Sequence, residues 1–241
     1  MKPSNNKVSF GVLYLIPVLL GDSEVNDVLP AKTIEITSRL KNFISENAKS
    51  ARYFLKKLNL ANPLQEIAIT EIDKHNDQID FNFHFEALRR GEDTGLLSEA
   101  GMPAVADPGS KFVLRAHNEG IKVVPLSGPS SILLSLAASG LNGQSFVFHG
   151  YLSKDKEQRK EQIRLLEKNA KSLKQTQIFI ETPYRNQVLL DDIIQTCSGS
   201  TQLCVASEVS LSTEQILTKT ISDWKTIAID LNKKPTVFLI L

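Results

Sequence analysis

Cysteine is scarce in this chain of 241 residues, which contains only Cys197 and Cys204. The two do not form a CxxC pair, so neither a disulfide framework nor a cysteine-based zinc site is expected. The four histidines likewise show no HExxH or other metal-ligand spacing. We therefore predict two reduced structural thiols, no bound metal and a cytoplasmic protein.

The chain also lacks a large net charge and a long apolar run. The 28 basic and 27 acidic side chains give a formal charge of +1, so a polyanion would have to bind a local patch. The apolar run 12–20 is too short to span a bilayer and is interrupted by Pro17. We predict a buried first strand that ends in a loop near Pro17, and no association with a membrane.

Glycine-rich binding loops are absent as well. There is no GxxxxGK[ST] segment, which excludes a P-loop nucleotidase. No GxGxxG follows the first predicted strand, which argues against a dinucleotide-binding fold. No GxSxG nucleophile elbow occurs either.

Strand-length apolar runs do alternate with helical patterns through most of the chain, although residues 25–39 receive no assignment. The predicted strands are 12–16, 43–45, 66–70, 94–98, 122–125, 146–148, 177–180, 202–207 and 236–241. The predicted helices are 48–58, 80–90, 111–118, 130–139, 155–173, 184–196 and 222–231. This alternation is typical of an α/β fold with a parallel sheet covered on both faces. Because the pattern restarts after the turn at 140–143, we predict two α/β domains, 1–143 and 144–241.

Three loops have compositions that favour chemistry. Residues 97–109 place Glu99 after a buried strand, and the ends of parallel strands form the ligand crevice of such folds. Residues 125–140 turn at Gly128 into a helix of small residues, whose first N–H groups attract anions or carboxylates. Residues 178–186 place Glu181 and Arg185 directly after a predicted strand, and Arg185 could bind a carboxylate or phosphate. On these residues alone, ordinary strand-to-helix connections remain an alternative.

Five segments, in this order, resemble the tetrapyrrole-methylase superfamily, and most closely its branch that methylates a ribose 2′-hydroxyl of small-subunit ribosomal RNA. They are SEAGMPAVADPG (98–109), SGPSS (127–131), GYLS (150–153), ETPYR (181–185) and ASE (206–208). That branch typically shows SDAGTP…SDPG, PGPSA, GFLP, ESPHR and ARE. Here Glu99 replaces an Asp, Tyr184 replaces a His, and the first loop is rewritten.

The resemblance implies two α/β domains with the cofactor cleft between them, S-adenosyl-L-methionine (SAM) as the cofactor, and a homodimer. The cofactor-binding residues that it implies are Pro17, Glu99, Gly101, Met102, Val105, Ala106, Ser130, Ser131, Ile180, Ala206, Pro235 and Thr236. It also implies rRNA processing, with ribosomal RNA or the small ribosomal subunit as the partner.

The catalytic residue is left unknown by the sequence. A hydroxyl acceptor can need a general base, for which the candidates are Glu46, Glu181 and Glu208; salt bridges to neighbouring arginines are the alternative. The candidate substrate-binding residues are Arg52, Lys156, Arg159, Lys160 and Arg185. The further cations relevant to RNA binding are Lys49, Lys56, Lys57, Lys154 and Arg164. Because acidic residues are interleaved among 154–164, a solvated helix face is the alternative there. Two other functions stay open, a small-molecule (tetrapyrrole-like) methyltransferase and a non-catalytic SAM- or RNA-binding module.

Overall fold

The computed structural model describes residues 9–72 and 79–241 and divides the chain into two compact units, Met1–Ser130 and Ser131–Leu241. This division lies before the helix at Ser131–Ser139, whereas the predicted domain boundary at 143/144 lies after it. The two domains predicted from the sequence stay a prediction.

The first unit is built on a parallel five-stranded sheet with the strand order β3-β2-β4-β1-β5. Its strands are β1 (Leu13–Ile16), β2 (Asn42–Ser45), β3 (Ala68–Glu71), β4 (Thr94–Leu97) and β5 (Val123–Pro125). Its helices are α1 (Val25–Val28), α2 (Ala31–Arg39), α3 (Ala48–Lys56), α4 (Phe81–His84), α5 (Glu86–Arg89) and α6 (Gly109–Asn118). The predicted strands of this unit are confirmed.

Apolar side chains cover both faces of this sheet. Ile16, Phe43 and Leu97 belong to one buried cluster, while Ile44 and Leu96 belong to another. Successive residues of a strand point to opposite faces, so strands buried on both faces must be apolar throughout. This confirms the physical reason for predicting a parallel sheet.

Two predicted elements of the first unit differ in detail. The helix predicted over 80–90 is interrupted at Phe85, which separates α4 from α5. The unassigned residues 25–39 form α1 and α2. Residues 73–78, including His75, lie outside the described residues.

The second unit contains a mixed sheet with the strand order β6-β7-β10-β8-β9. Its strands are β6 (Phe146–Tyr151), β7 (Thr176–Ile180), β8 (Gln202–Ser207), β9 (Gln215–Thr220) and β10 (Thr236–Ile240). Its helices are α7 (Ser131–Ser139), α8 (Lys156–Leu173), α9 (Asn186–Thr196) and α10 (Ile221–Trp224). Only β6 and β7 pair in parallel, and the other pairs are antiparallel. The overall α/β class is confirmed.

Near the end of the second unit, the secondary structure differs from the prediction in two places. No strand was predicted at β9, whose half-exposed residues pair with β8. The helix predicted over 222–231 is wrong beyond Trp224, because only the four residues of α10 are helical. Thr220 caps this turn through a capping box with Asp223, and Trp224 is buried and donates its indole N–H to the Leu203 carbonyl.

A buried ion pair joins α8 to α9. The guanidinium of Arg159 donates from Nε and Nη2 to Asp192 Oδ2 at 2.8 and 2.5 Å, and from Nη1 to the Ser153 and Lys154 carbonyls. Both side chains are at most 6% exposed. The expectation that Arg159 binds substrate is therefore wrong, because its guanidinium is buried and its donors are used within the fold.

Glu167 of α8 holds the segment that follows α9. Its Oε1 accepts hydrogen bonds from the Ser198 backbone N–H at 2.8 Å, from the Lys171 ammonium at 2.9 Å and from the Thr201 hydroxyl. Burial is the largest single influence and favours the neutral acid, but the hydrogen bonds together outweigh it and lower the pKa of Glu167 to about 2. Nearby Cys197 is a buried thiol whose pKa burial raises to about 12.

We expect Glu167 to make the stability of the fold depend on acid pH. Because its folded pKa is depressed, its contribution of about 2–3 kcal/mol is complete above pH 4.5 and is lost as the pH falls toward 2. Urea unfolding of wild type and Glu167→Gln from pH 6 to pH 3 tests this. The variant should lose most of this acid dependence, whereas Glu161→Gln, at an exposed position of the same helix, should keep it. Identical pH profiles for wild type and Glu167→Gln would contradict the expectation.

Within residues 9–72 and 79–241, no helix is long and apolar enough to cross a membrane. Across the same ranges, no group of three or more His, Cys, Asp or Glu side chains is arranged to hold a metal ion.

Candidate active site

Three loops meet at the carboxyl edge of the first sheet, where the adjacent strands β4, β1 and β5 end. The loop after β1 pairs with the loop after β4 through two backbone hydrogen bonds between Val18 and Gly101, at 2.9 and 3.2 Å. Ser98 secures the turn by donating its hydroxyl to the Gly101 carbonyl at 3.0 Å. In open α/β sheets this edge is where ligands bind.

The loop after β4 has an unusual backbone. Gly101, Ala104 and Ala106 all have left-handed conformations, with φ of 69, 66 and 62°. An alanine in this region costs roughly 1 kcal/mol, which the surrounding structure must offset. Asp107 contributes by accepting the Ala104 and Gly109 N–H groups on Oδ1, at 2.9 and 2.8 Å. The loop is thus held in one shape by its own side chain and by its pairing with the β1 loop.

The loop after β5 approaches the β1 loop so closely that only glycine fits. A Cβ atom on Gly128 would lie 2.2 Å from Pro17 Cγ and 2.6 Å from its Cβ. The neighbouring Ser127 carbonyl accepts the Thr33 hydroxyl at 2.7 Å, which ties this loop to α2. Gly128 therefore sets the distance between two of the three loops.

The structure places the predicted cofactor residues of the first unit on these three loops. Buried Pro17 begins the first loop, and Ser130 ends the third. The second loop carries Glu99, Gly101, Met102, Val105 and Ala106, of which Glu99, Val105 and Ala106 are exposed. Ser131 follows directly as the first residue of α7.

The predicted residues of the second unit meet at one edge of its own sheet. Ile180 at the end of β7 and Ala206 near the end of β8 are both paired with Val237 of β10. Thr236, which begins β10, donates its hydroxyl to Ser207 at 3.3 Å. Pro235 precedes it and accepts the Glu208 N–H at 2.8 Å. Four predicted residues that are widely separated in the sequence thus become neighbours.

The three candidate bases have different surroundings. Glu181 is 1% exposed, and its Oε1 accepts from Arg185 Nη2 at 2.5 Å and from the Thr182 N–H at 2.6 Å. Glu208 has a left-handed backbone, and its carboxylate lies 4.0 Å from the Lys234 ammonium. Glu46 follows β2 at the carboxyl edge of the first sheet. Glu181 thus forms a salt bridge with Arg185, which was the alternative to a role as general base.

The predicted substrate residues differ in their exposure and in their partners. Arg185 is paired with Glu181, and Lys160 lies 4.0 Å from Asp192 with its side chain 18% exposed. Lys156 is exposed at the start of α8, and Arg52 is exposed on α3 in the first unit.

The sequence indicated the cations around Arg52, including Lys57, but not the Tyr53 and Asp22 side chains that lie beside them. Asp22 of the β1 loop pairs with Lys57 after α3 and accepts the Tyr53 hydroxyl at 3.1 Å. A cavity of about 210 Å³ adjoins this cluster; besides these α3 residues it is lined by the β1 loop and by 98–100, including Glu99. In the sequence, Tyr53 is visible as an aromatic residue among lysines and arginines. Its acidic partner Asp22 lies 31 residues away, so the sequence alone does not reveal their contact.

Comparison with known proteins agrees with this architecture. The family model described as Tetrapyrrole (Corrin/Porphyrin) Methylases matches residues 21–225. The chain therefore belongs to the tetrapyrrole methylase family. It is accordingly a methyltransferase.

Curated relatives extend the match over most of the chain. A protein of Bacillus subtilis (strain 168) named ribosomal RNA small subunit methyltransferase I is 28% identical over 219 residues, which are 91% of this chain and 70% of that protein. A protein of the same name from Vibrio cholerae is 28% identical over 231 residues, covering 95% and 76% of the two chains.

Among solved structures, a cobalt precorrin-4 methyltransferase of cobalamin biosynthesis matches with a TM-score of 0.62 and 15% identity. The match covers 95% of this chain and 93% of the other. At this level of identity the likeness confirms the fold.

Proposed function

We propose that this protein transfers a methyl group from SAM to a ribose 2′-hydroxyl of small-subunit ribosomal RNA. The observation that carries the proposal is the match, across about nine-tenths of the chain, to relatives named ribosomal RNA small subunit methyltransferase I. The ordered motifs that resemble this branch support it. A ribosomal substrate also favours the cytoplasm as its location.

The first unit offers groups that fit SAM. The exposed carboxylate of Glu99 can accept hydrogen bonds from ribose hydroxyls or from an ammonium group. The left-handed backbone at Gly101, Ala104 and Ala106 fixes the shape of the loop that carries Glu99. We propose that Pro17, Met102, Val105 and Ser130 complete this part of the site, and that Ser131, Ile180, Ala206, Pro235 and Thr236 contribute from the second unit.

When bound, SAM supplies an electrophilic methyl group, and the chain must orient the acceptor and exclude water. Of the candidate bases, Glu181 best suits a positioning role, because its Oε1 already accepts two hydrogen bonds. Glu46 and Glu208 stay candidates for accepting the proton of the 2′-hydroxyl.

Replacement of Glu99 by alanine should weaken SAM binding about tenfold or more, because a charge-assisted hydrogen bond contributes roughly 1.5–3 kcal/mol. Calorimetry with SAM measures the change. Glu66→Ala is the control, since Glu66 is also exposed but precedes β3 at the opposite edge of the same sheet. Equal SAM affinities of Glu99→Ala and wild type would remove Glu99 from the site.

The proposed reaction is tested with labelled SAM and three acceptors, namely small ribosomal subunits, extracted ribosomal RNA and tetrapyrroles. We expect label in the small-subunit RNA, at a ribose. Label in the tetrapyrrole alone would make this protein a small-molecule methyltransferase. Binding of SAM without transfer to any acceptor would support the non-catalytic alternative.

We also propose a homodimer. The helix α7 is apolar around its circumference, and although Leu136 is buried, Leu133 and Leu134 are 56% and 40% exposed. An exposed apolar helix face is typical of an interface. Light scattering should give twice the chain mass of 26.7 kDa, and a monomer at all concentrations would contradict the proposal.

A further inference from the structure

The outward face of α3 carries three basic side chains. Lys49, Arg52 and Lys56 are exposed, while Ala51, Phe54 and Leu55 bury the opposite face. Their spacing of three and four residues puts the three cations on one side of the helix. Among the residues that the structure describes, none of the three forms an ion pair. Such a face is available to bind anionic groups of another molecule.

An aromatic ring stands among these cations in a fixed orientation. Tyr53 is 58% exposed, and its hydroxyl donates to Asp22 at 3.1 Å. The Lys57 ammonium lies 5.1 Å from the ring centroid and pairs with the same carboxylate. The hydrogen bond from Lys57 is the main reason that the pKa of Asp22 is lowered, and the bond to Asp22 raises the pKa of Lys57. The ring is therefore pre-oriented, which lowers the entropy lost when it stacks on a ligand.

The same cluster lies beside the loop after β4, which carries Glu99 and is part of the proposed cofactor site. The cavity of about 210 Å³ is lined by Ser50, Tyr53 and Lys57 on one side and by Ser98, Glu99 and Ala100 on the other. A group that enters this cavity from the α3 face reaches the loop that carries Glu99. Tyr53, which neighbours Arg52 on α3, thus also lines the cavity beside Glu99.

The helix α8 offers a weaker surface for a polyanion. Arg159 is buried against Asp192, and Lys160 lies near the same carboxylate. Exposed Glu157 and Glu161 alternate with the remaining cations. A phosphate chain along α8 would meet both signs of charge, whereas α3 contains no acidic residue.

We propose that the outward face of α3 is the surface on which this protein binds RNA. Lys49, Arg52 and Lys56 bind phosphates, and Tyr53 stacks on an unpaired base, as aromatic residues do in proteins that read single-stranded RNA. The nucleotide is then presented toward the cavity beside Glu99. The proposal rests on the proposed RNA substrate and specifies where it docks.

Salt-dependent binding of fluorescein-labelled poly(U) tests the cations. Removal of two phosphate contacts in Arg52→Gln/Lys56→Gln should reduce the slope of log affinity against log salt by about 1.4, because each contact to a single strand contributes about 0.7. The matched control is Lys41→Gln/Lys122→Gln, which removes the same charge from exposed positions before β2 and β5, at the opposite edge of the sheet. A slope that falls equally in both variants, or in neither, would overturn the proposal.

Two variants of Tyr53 separate stacking from folding. Tyr53→Leu should bind poly(U) at least about fivefold more weakly, since one base–aromatic stack is lost. Tyr53→Phe keeps the ring, loses the hydrogen bond to Asp22 and should bind within about twofold of wild type. Thermal unfolding of both variants checks that the fold is retained. Equal affinities of the leucine and phenylalanine variants would remove Tyr53 from the RNA surface.

Transfer of label from SAM to small-subunit RNA distinguishes the two proposals. If wild type labels the RNA and the α3 double variant binds and labels it equally well, the docking surface is wrong and the proposed function stands. If wild type binds poly(U) through α3 yet labels no RNA, the proposed function is wrong and the docking surface stands. If wild type binds poly(U) with no dependence on salt, the docking surface is overturned whatever the labelling shows.

Discussion

Asp192→Ala should lower the free energy of unfolding by about 3–5 kcal/mol, the loss typical when one partner of a buried ion pair is removed. The variant leaves the guanidinium of Arg159 buried, with Ser153 and Lys154 carbonyls as its remaining acceptors. Urea unfolding followed by circular dichroism measures the change. The loss should also weaken the packing of α8 on α9, because this ion pair joins the two helices.

Two controls make this expectation specific. Asp191→Ala removes the same group from the exposed neighbouring position and should change stability by less than about 0.5 kcal/mol. The double variant Arg159→Met/Asp192→Leu removes both charges and should recover much of the stability, because an apolar pair can replace a buried ion pair. If Asp192→Ala were no less stable than Asp191→Ala, the pair would have no structural importance.

Gly128→Ala should disrupt the candidate cofactor site. The new Cβ would meet Pro17 at 2.2 Å, so the β1 and β5 loops must separate. Overpacking of this kind costs about 1–3 kcal/mol of stability. Because Pro17 is a proposed cofactor residue, we also expect SAM affinity to fall at least about tenfold, measured by calorimetry.

Gly143→Ala is the matched control for this effect. A Cβ on Gly143 has no atom within 4 Å, and its backbone is not in the left-handed region. This substitution should leave SAM affinity unchanged and affect stability by less than about 1 kcal/mol. If Gly128→Ala bound SAM as well as Gly143→Ala does, the spacing of the two loops would not matter for cofactor binding.

The sequence predicted best those elements whose burial dictates their composition. The strand β4 is buried at every position and contains no charged residue, which is readable from the sequence alone. The strand β9 is half-exposed and includes Lys219, so its composition resembles that of a loop. A four-residue helix such as α10 has too few residues to show helical periodicity, which explains the wrong extension to 231.

In the candidate site, too, features formed by consecutive residues were predicted, whereas contacts between distant segments were not. The motifs around Glu99 and Glu181 were visible because each lies within a few consecutive residues. Arg159 was misread as a surface cation, although it occupies the same helical stripe as buried Ile163 and Leu166. The pairing of Tyr53 with Asp22 depends on two segments that only the fold brings together.

The order in which the second sheet can form follows from the place of β10. This strand is synthesised last of the five, yet it lies between β7 and β8 and pairs with both. Until residues 236–240 leave the ribosome, the nascent unit has two separate strand pairs, each with an open apolar edge. Unpaired edges of this kind bind other chains readily, so the growing polypeptide should need chaperone protection until β10 inserts. The first sheet, whose five strands end at Pro125, can close well before that moment.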